Sequence, residues 1–183
     1  MSDPVSALGL ARFDGFATVQ EIGPLGMISL RAGPEVKALA KAIKAAVGTG
    51  LPAQRRIVVA GDRAAGWMSP DEYLLVMPYA ETEAAMAAIS KAMGAEHHLA
   101  AVVSDARAVF DVTGGKADQA LLKLMPVDIG QMAPDELRRS RAAQVAAAFW
   151  AIDGGYRVVC FRSVAGYMMG LLTHSAQPGS ELN

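Results

Sequence analysis

The sequence predicts an α+β fold in which strands and helices alternate along the chain. Short apolar segments rich in Val and Phe are bounded by Gly, Pro or Asp, which is typical of strands. Between them lie segments whose apolar residues recur at helical spacing. The order β-α-β-β-α-β occurs once and then begins again without its last strand. We therefore expect two ferredoxin-like halves packed as one body.

An apolar segment predicts a strand at residues 13–22, before the first half, and others predict strands within it at residues 27–32, 55–60, 73–77 and 99–104. Pro34 suits the first turn of a helix, and the apolar spacing continues to Val47 before Gly48 ends it. A second helix is predicted from Glu81, because negative charge favours a helix N-terminus, to Gly94. Residues 61–69 are predicted to form a loop.

In the second half, strands are predicted at residues 108–113, 142–152 and 156–162, with Asp153-Gly154-Gly155 as the hairpin turn. Helices are predicted at residues 117–125 and 165–173, with one helical turn near 134–138. We expect a single domain over residues 1–183, with halves at about 26–105 and 107–175. Residues 1–12 are expected to form a loose arm, and residues 176–183 a flexible tail.

Composition excludes several classes of function. The 183 residues carry a net charge of −1, which argues against a general nucleic-acid or membrane-surface binder. No segment reaches the ~18 apolar residues that a membrane-spanning helix needs, and the first residues do not resemble a secretory signal. Cys160 is the single cysteine, which excludes an intrachain disulfide and fits a reducing cytoplasm. We therefore expect a cytoplasmic protein.

No catalytic, cofactor-binding or metal-binding residue can be assigned from the sequence. His97 and His98 are adjacent, so in an extended segment their side chains point to opposite faces. Residues 113–116, Thr-Gly-Gly-Lys, contain half of a phosphate-binding loop but not its full spacing. Asp71 and Glu72 are neighbours and do not face one gap, as paired acid and base groups would.

The interface candidates come from apolar and basic residues. The helix at 165–173 is apolar nearly all round, so we expect Met168 and Leu172 to contact a partner, and the isolated chain to self-associate there. Arg139 and Arg141 lie in a predicted loop, which is either solvated or docks an acidic partner surface. Trp67 is either a core residue or an interface anchor.

Four segments in order resemble the gamma subunit of heterotetrameric sarcosine oxidase. They are residues 66–76 (GWMSPDEYLLV), 103–107 (VSDAR), 114–117 (GGKA) and 125–128 (MPVD). Arg139-Ser140-Arg141 also stands where that family has a polar turn before an apolar strand. The resemblance covers about residues 26–174 and implies a fold similar to the folate-binding part of aminomethyltransferases.

The resemblance implies a non-catalytic accessory subunit. The complex of that family oxidises sarcosine to glycine with hydrogen peroxide, and the methyl carbon leaves as formaldehyde or as methylene-tetrahydrofolate. The alpha, beta and delta subunits would be the partners, and they would hold the FAD, FMN, NAD, tetrahydrofolate and zinc. Another N-methyl amine, such as dimethylglycine, is an alternative substrate of the complex.

Two other functions stay open. The first is a free-standing folate-dependent or folate-binding protein of the same fold, which needs a carboxylate facing a deep pocket. Met77-Pro78-Tyr79 stands where aminomethyltransferases commonly have an Asn-containing turn near folate, which argues against independent folate binding. The second is a self-assembling module that binds a small molecule in a pocket without a carboxylate.

Overall fold

The computed structural model describes residues 4–182, and the chain divides into two compact units. The middle unit comprises Leu25–Ser104, and the terminal unit comprises Met1–Pro24 together with Asp105–Asn183. Each unit contains one antiparallel sheet and two α-helices, so the predicted α+β class is confirmed.

The helices and strands are numbered in chain order. The strands are β1 (Arg12–Asp14), β2 (Thr18–Ile22), β3 (Gly26–Arg31), β4 (Ile57–Ala60), β5 (Arg63–Ser69), β6 (Glu72–Met77), β7 (Leu99–Val102), β8 (Arg107–Thr113), β9 (Leu137–Ala142), β10 (Val145–Ile152) and β11 (Gly155–Phe161). The helices are α1 (Leu39–Val47), α2 (Thr82–Met93), α3 (Ala117–Leu122) and α4 (Ala165–Ser175).

The sheet of the middle unit has the strand order β4-β5-β6-β3-β7. Helix α1 forms because its buried residues, Leu39, Ile43 and Val47, recur every four positions and share one face. It ends at Gly48, whose φ of 74° lets its N–H reach the Lys44 carbonyl oxygen. Both helices pack against one face of the sheet, where the core includes Ile28, Leu30, Leu75, Met77, Ile89 and Met93.

The sheet of the terminal unit has the strand order β1-β2-β8-β11-β10-β9. Helices α3 and α4 pack on one face over a core that includes Val19, Phe110, Leu121, Phe149, Val158 and Leu172. Strand β2 comes from the N-terminal segment and pairs antiparallel with β8, as β7 pairs with β3 in the middle unit. The strand that the second half lacks in sequence is therefore supplied by the start of the chain.

Two predicted loop regions are strands. Residues 61–69 were expected to be a loop, but β5 forms a hairpin with β4 and a bulge at Trp67/Ser69. The helical turn predicted near residues 134–138 is also wrong, and the strand predicted at 142–152 is confirmed only from Val145 onward, as β10. Strands β9 and β10 form a hairpin there, and Ala143 makes the reversal with a φ of 47°. The predicted strand at 13–22 is divided into β1 and β2.

The N-terminal arm is attached to its unit over its described part. Glu21 is 1% exposed, and its carboxylate accepts the backbone N–H of Leu8 and of Leu10. The Arg162 guanidinium donates to the carbonyl oxygens of Val5 and Ser6. The expected loose arm is therefore corrected for residues 4–11, while Met1 to Asp3 lie outside the described residues.

The C-terminal segment also has specific contacts. Lys123 Nζ donates to the carbonyl oxygens of Ser175 and Ser180, and Leu182 N–H donates to Gln119 Oε1 at 3.0 Å. The structure differs here from the expectation of a flexible tail at residues 176–183, because these bonds hold the segment against α3 and the residue after it.

Candidate functional site

A cleft of about 680 Å³ lies at one end of the terminal sheet. It is bounded by the turn from β8 into α3, the β10–β11 hairpin turn and the short helical turn at Gly130. Glycine and alanine make most of the wall, so backbone is close to the open space. The lining residues are Thr113, Gly114, Gly115, Ala117, Asp118, Gly130, Ala151, Ile152, Gly154, Gly155 and Tyr156.

Asp118 and Tyr156 supply the polar side chains of this cleft that carry ionisable groups. Burial, and secondarily the negative charge of Asp118, raises the pKa of the Tyr156 phenol above its ordinary value. Within residues 4–182, neither side chain has a hydrogen bond or an ion pair to another side chain or to the backbone. Both side chains are half-buried and lack a hydrogen-bond partner within the described residues. Each can therefore accept a hydrogen bond from a group outside the chain.

Two glycines in the wall have no structural need to be glycine. A Cβ at Gly115 would meet nothing within 4 Å, and a Cβ at Gly130 would lie 3.5 Å from Asp128 Oδ1, an ordinary contact. Neither residue has a positive φ. By contrast, Gly114 has a φ of 118°, and a Cβ at Gly155 would collide with the Val112 carbonyl oxygen. Gly115 and Gly130 therefore keep the cleft open at sites where a side chain would fit.

Three residues of the Thr-Gly-Gly-Lys segment, Thr113, Gly114 and Gly115, line the cleft, and Lys116 is not part of its wall. Lys116 is exposed, and its Nζ lies 4.0 Å from Glu181 Oε1. Helix α3 has six residues. Within residues 4–182, no three His, Cys, Asp or Glu side chains come together as a metal site would require.

Met168 and Leu172 do not lie on the surface. Both have 0% exposure and belong to the core of the terminal unit, so the prediction that their side chains contact a partner is wrong. Helix α4 is apolar on its inner face because it covers the sheet, and its outer face carries Tyr167 and the glycines Gly166 and Gly170. The low charge of the helix therefore reflects the two outward glycines and the exposed Tyr167.

Arg139 and Arg141 lie on β9, the edge strand of the terminal sheet, and not in a loop. Both are exposed and alternate with the half-buried Ser140, as outward residues of a strand do. Trp67 lies on β5 in the middle unit, where it is half-buried and packs against the core of that unit. Their roles as interface residues stay predictions.

The structure gives Cys160, His98 and Asp71 ordinary structural contacts. Cys160 is buried on β11, and burial raises the pKa of its thiol to about 11. His98 Nδ1 lies 2.8 Å from the Glu96 carbonyl oxygen. Asp71 accepts from Ser69 Oγ and pairs with Arg31, which lower the pKa of its carboxyl group.

Sequence reasoning missed the grouping of Asp118, Tyr156, Gly115 and Gly130. These residues come from different elements, and the motifs carry no signal that joins them. A pairing of the two halves strand by strand could have found the cleft, because Ala151 stands beside Tyr156 where Trp67 stands beside Tyr73 in the middle unit.

Comparison with known proteins gives one family and a set of similar folds. The model of the sarcosine oxidase, gamma subunit family matches residues 31–176, which bears out the resemblance. The chain is similar to a chain of the heterotetrameric sarcosine oxidase from Corynebacterium sp. U-96 in complex with pyrrole 2-carboxylate. The TM-score is 0.79 and the identity is 24%, over 87% of this chain and 83% of that chain.

Two further structures share the fold. Glycine cleavage system aminomethyltransferase T from Bartonella henselae gives a TM-score of 0.65 at 11% identity, over 86% of this chain and 45% of that chain. The regulatory subunit of aspartate kinase from Thermus thermophilus gives 0.50 at 14% identity, over 90% of this chain and 99% of that chain. No curated protein matches the sequence. Each helix that the structure describes is too short or too polar to cross a membrane.

Proposed function

Because the chain belongs to the sarcosine oxidase gamma subunit family, we propose that it is an accessory, non-catalytic subunit of a sarcosine-oxidase-type flavoenzyme complex. The observation that carries this proposal is the family match over residues 31–176, which spans strands of both sheets. The fold shared with a chain of a heterotetrameric sarcosine oxidase supports it. The complex would oxidise sarcosine to glycine, formaldehyde or methylene-tetrahydrofolate, and hydrogen peroxide.

The proposal assigns the chemistry to other subunits. The alpha, beta and delta subunits would hold FAD, FMN, NAD, tetrahydrofolate and zinc, and the complex would work in the cytoplasm. The ionisable groups that line the cleft of this chain, Asp118 and Tyr156, are suited to contact and orientation rather than to redox chemistry. The task of this chain would be to stabilise the assembly of the larger subunits.

The edge strand β9 is one surface suited to such an assembly. Its outer edge is free of a neighbouring strand in the terminal sheet, and its exposed Arg139 and Arg141 carry positive charge. Arginine forms bidentate hydrogen bonds with carboxylates, so this edge suits an acidic surface of a partner subunit. Trp67, half-buried in the middle unit, offers a second contact through the part of its side chain that the core does not cover.

Co-expression tests the proposal. The tagged chain is produced together with candidate alpha, beta and delta subunits from the same organism. We expect the subunits to co-purify at equal stoichiometry, with sarcosine-dependent release of hydrogen peroxide. The isolated chain is expected to be colourless and inactive. A flavin spectrum that survives gel filtration of the isolated chain, or tight binding of tetrahydrofolate to it, would contradict the proposal and favour the folate alternative.

The interface residues are tested in the same preparation. The double change Arg139→Glu and Arg141→Glu should weaken co-purification, because it reverses the charge of the β9 edge. Lys41→Glu with Lys44→Glu, on the exposed face of α1, is the matched control with the same change of net charge. Equal recovery of both variants would place the contact elsewhere. Trp67→Ala is compared with Trp67→Phe, which keeps an aromatic ring at the site.

A further inference from the structure

The cleft of the terminal unit is an open version of a site that is filled in the middle unit. Tyr156 pairs with Val112 and has Ala151 on its other side. Tyr73 pairs with Leu30 in the same register and has Trp67 on its other side. The indole of Trp67 packs against the core of the middle unit, and Tyr73 is 3% exposed. The methyl group of Ala151 leaves this space empty, and Tyr156 is more exposed.

The hairpin ends repeat the same difference. The Ala32 N–H donates to the Asp71 carbonyl oxygen at 3.1 Å, and the Gly114 N–H donates to the Gly154 carbonyl oxygen at 2.9 Å. The backbone arrangement is therefore shared. In the middle unit the Asp71 carboxylate is neutralised by Arg31 at 3.0 Å, but the terminal unit has Gly154 at the corresponding position. One hairpin end has an ion pair between its own side chains, and at the equivalent position in the other Gly154 supplies only backbone.

Charge around the open cleft is negative. Asp118 lies in its wall, and Asp128 Oδ1 lies 3.5 Å from where a Cβ on Gly130 would be. Asp153 is exposed in the turn beside Gly154. Lys116 is the nearby cation, and it lies close to Glu181. The charge favours a cationic occupant, and the described carboxylates are not grouped as a metal ion would need.

The residues that line the cleft indicate whether the cation is a free small ligand or a side chain of another protein. Sites for free small ligands are lined mainly by hydrophobic and aromatic side chains, which supply most of the affinity. Ile152 and Tyr156 are the only large apolar or aromatic side chains among the lining residues, and five of those residues are glycines, so the cleft has few of the side chains that hold a free ligand. A side chain that belongs to a docked protein needs less apolar contact within the cleft, because the rest of the interface holds it in place.

We propose that this cleft receives a basic side chain, an arginine or a lysine, of a partner subunit. The carboxylate of Asp118 accepts its N–H groups, and the Tyr156 phenol contributes a second acceptor. Gly115 and Gly130 leave room for the aliphatic stem. This inference rests on the proposed function, because it requires a partner subunit, and it names a contact site apart from β9.

The experiment measures binding of the chain to immobilised partner subunits. Asp118→Asn removes the charge and keeps the shape, and Asp118→Lys reverses the charge. Gly115→Val and Gly130→Val fill the cleft. Matched controls are Asp62→Asn, in the exposed β4–β5 turn, and Gly50→Val, where a Cβ also meets nothing within 4 Å. Circular dichroism and thermal unfolding of each free variant show whether it is folded.

A hydrogen-bonded charge pair predicts that Asp118→Asn weakens binding about tenfold or more, and Asp118→Lys weakens it further. Each valine variant should weaken binding, while both controls bind like the wild type. The affinity should also fall less with added salt in Asp118→Asn than in the wild type, because a charge pair is lost.

Other results overturn the proposal in distinguishable ways. If the wild type binds the partner subunits and every cleft variant binds them with the same affinity, the cleft is not a contact site, while the proposed function stands. Equal binding of Asp118→Asn, Asp118→Lys and the wild type, with loss only in the valine variants, would exclude a cationic occupant. No binding of the wild-type chain would overturn the proposed function as well. Submillimolar binding of methylguanidine or sarcosine to the isolated chain would assign the cleft to a free ligand.

Discussion

The two units share a backbone plan and differ in how each closes one end of its sheet. In the middle unit the strand order is β4-β5-β6-β3-β7, and in the terminal unit β9-β10-β11-β8-β2 repeats it with β1 added. Tyr73 and Tyr156 stand at equivalent positions, but Trp67 and Ala151 stand beside them. The comparison teaches that the backbone fixes where a cleft is located, and the size of one neighbouring side chain decides whether it is open.

The same comparison explains the low charge of the chain. Each sheet is covered on one face by two helices, and each helix pair uses small and apolar residues for that purpose. Helix α4 carries Gly166 and Gly170 on its outer face, where α2 carries charged residues such as Glu83 and Lys91. A low fraction of charged residues is therefore not by itself evidence of an exposed apolar surface.

The largest expected effect tests whether α4 and α2 have the same role. Met168→Glu places a carboxylate at a position with 0% exposure on α4. Ile89→Glu does the same on α2, the helix that covers the sheet of the middle unit. We expect each to lower the free energy of unfolding by at least about 4 kcal/mol, because a buried charge without a partner is strongly unfavourable. Urea denaturation measures the effect. Tyr167→Glu, on the outer face of α4, is the control and should cost little.

A cooperative, stable Met168→Glu variant would contradict the placement of α4 over the core. It would restore the interpretation that this side chain faces a partner. The double change Met168→Glu and Leu172→Glu would then report on assembly, and otherwise it reports only on folding.

The next largest effect comes from exchanging Trp67 and Ala151, the residues that differ beside the two equivalent tyrosines. Trp67→Ala should cost about 2–3 kcal/mol, because a half-buried indole leaves the core of the middle unit. Ala151→Trp should change stability by less than about 1 kcal/mol, because the indole enters open space. Thermal and urea unfolding measure both.

Ala147→Trp, on the same strand, is the control for added volume. Ala147 is 4% exposed in the core, so the larger ring would be overpacked there and should cost clearly more than Ala151→Trp. Equal losses for the two tryptophan variants would show that the cleft is not open in solution.

The sequence was sufficient for the class of fold and for most elements, and it failed where side chains do not follow the simple patterns. Strand β5 contains Ala64, Ala65 and Gly66 where β-branched residues would signal a strand, so it was expected to be a loop. Strand β9 is an edge strand with three arginines, and such strands carry charge because one edge is solvated. Both were found only through their pairing with neighbouring strands.

The site was harder to predict for a related reason. The cleft depends on an absence, the missing indole beside Tyr156, and a sequence pattern registers what is present. The interface residues on α4 were misplaced because periodicity identifies an apolar face without saying whether a sheet or a partner covers it. Only the pairing of β8 and β11 with α4 above them decides that Met168 faces inward.

A smaller effect is expected at Cys160, which occupies the position of Met77 in the middle unit. Cys160→Ala should cost about 1 kcal/mol, because it removes one buried sulfur atom. The folded pKa is raised to about 11 from the ordinary 9.0, so the folded protein holds the thiol proton longer than the unfolded chain. The contribution is therefore complete below pH 9 and is lost as pH rises toward 11.

Urea denaturation of the wild type and of Cys160→Ala between pH 8 and pH 11 measures this difference. The wild type should lose stability more steeply than the variant as the pH rises from 9.0 to about 11, and the subtraction removes the other groups that titrate there. Rapid reaction of native Cys160 with a thiol reagent at neutral pH would contradict the burial on which this expectation depends.

The smallest effect compares the two tyrosines directly. Burial raises the pKa of both phenols, and a nearby carboxylate adds to it, Asp71 for Tyr73 and Asp118 for Tyr156. Asp118→Asn should lower the pKa of Tyr156 and leave that of Tyr73 unchanged, and Asp71→Asn should do the reverse. Tyrosine labelled at Cζ resolves each phenol by NMR titration, with Tyr156→Phe and Tyr73→Phe for assignment. If Asp118→Asn left the Tyr156 pKa unchanged, the carboxylate and the phenol would not share the cleft, and its assignment as one polar site would fail.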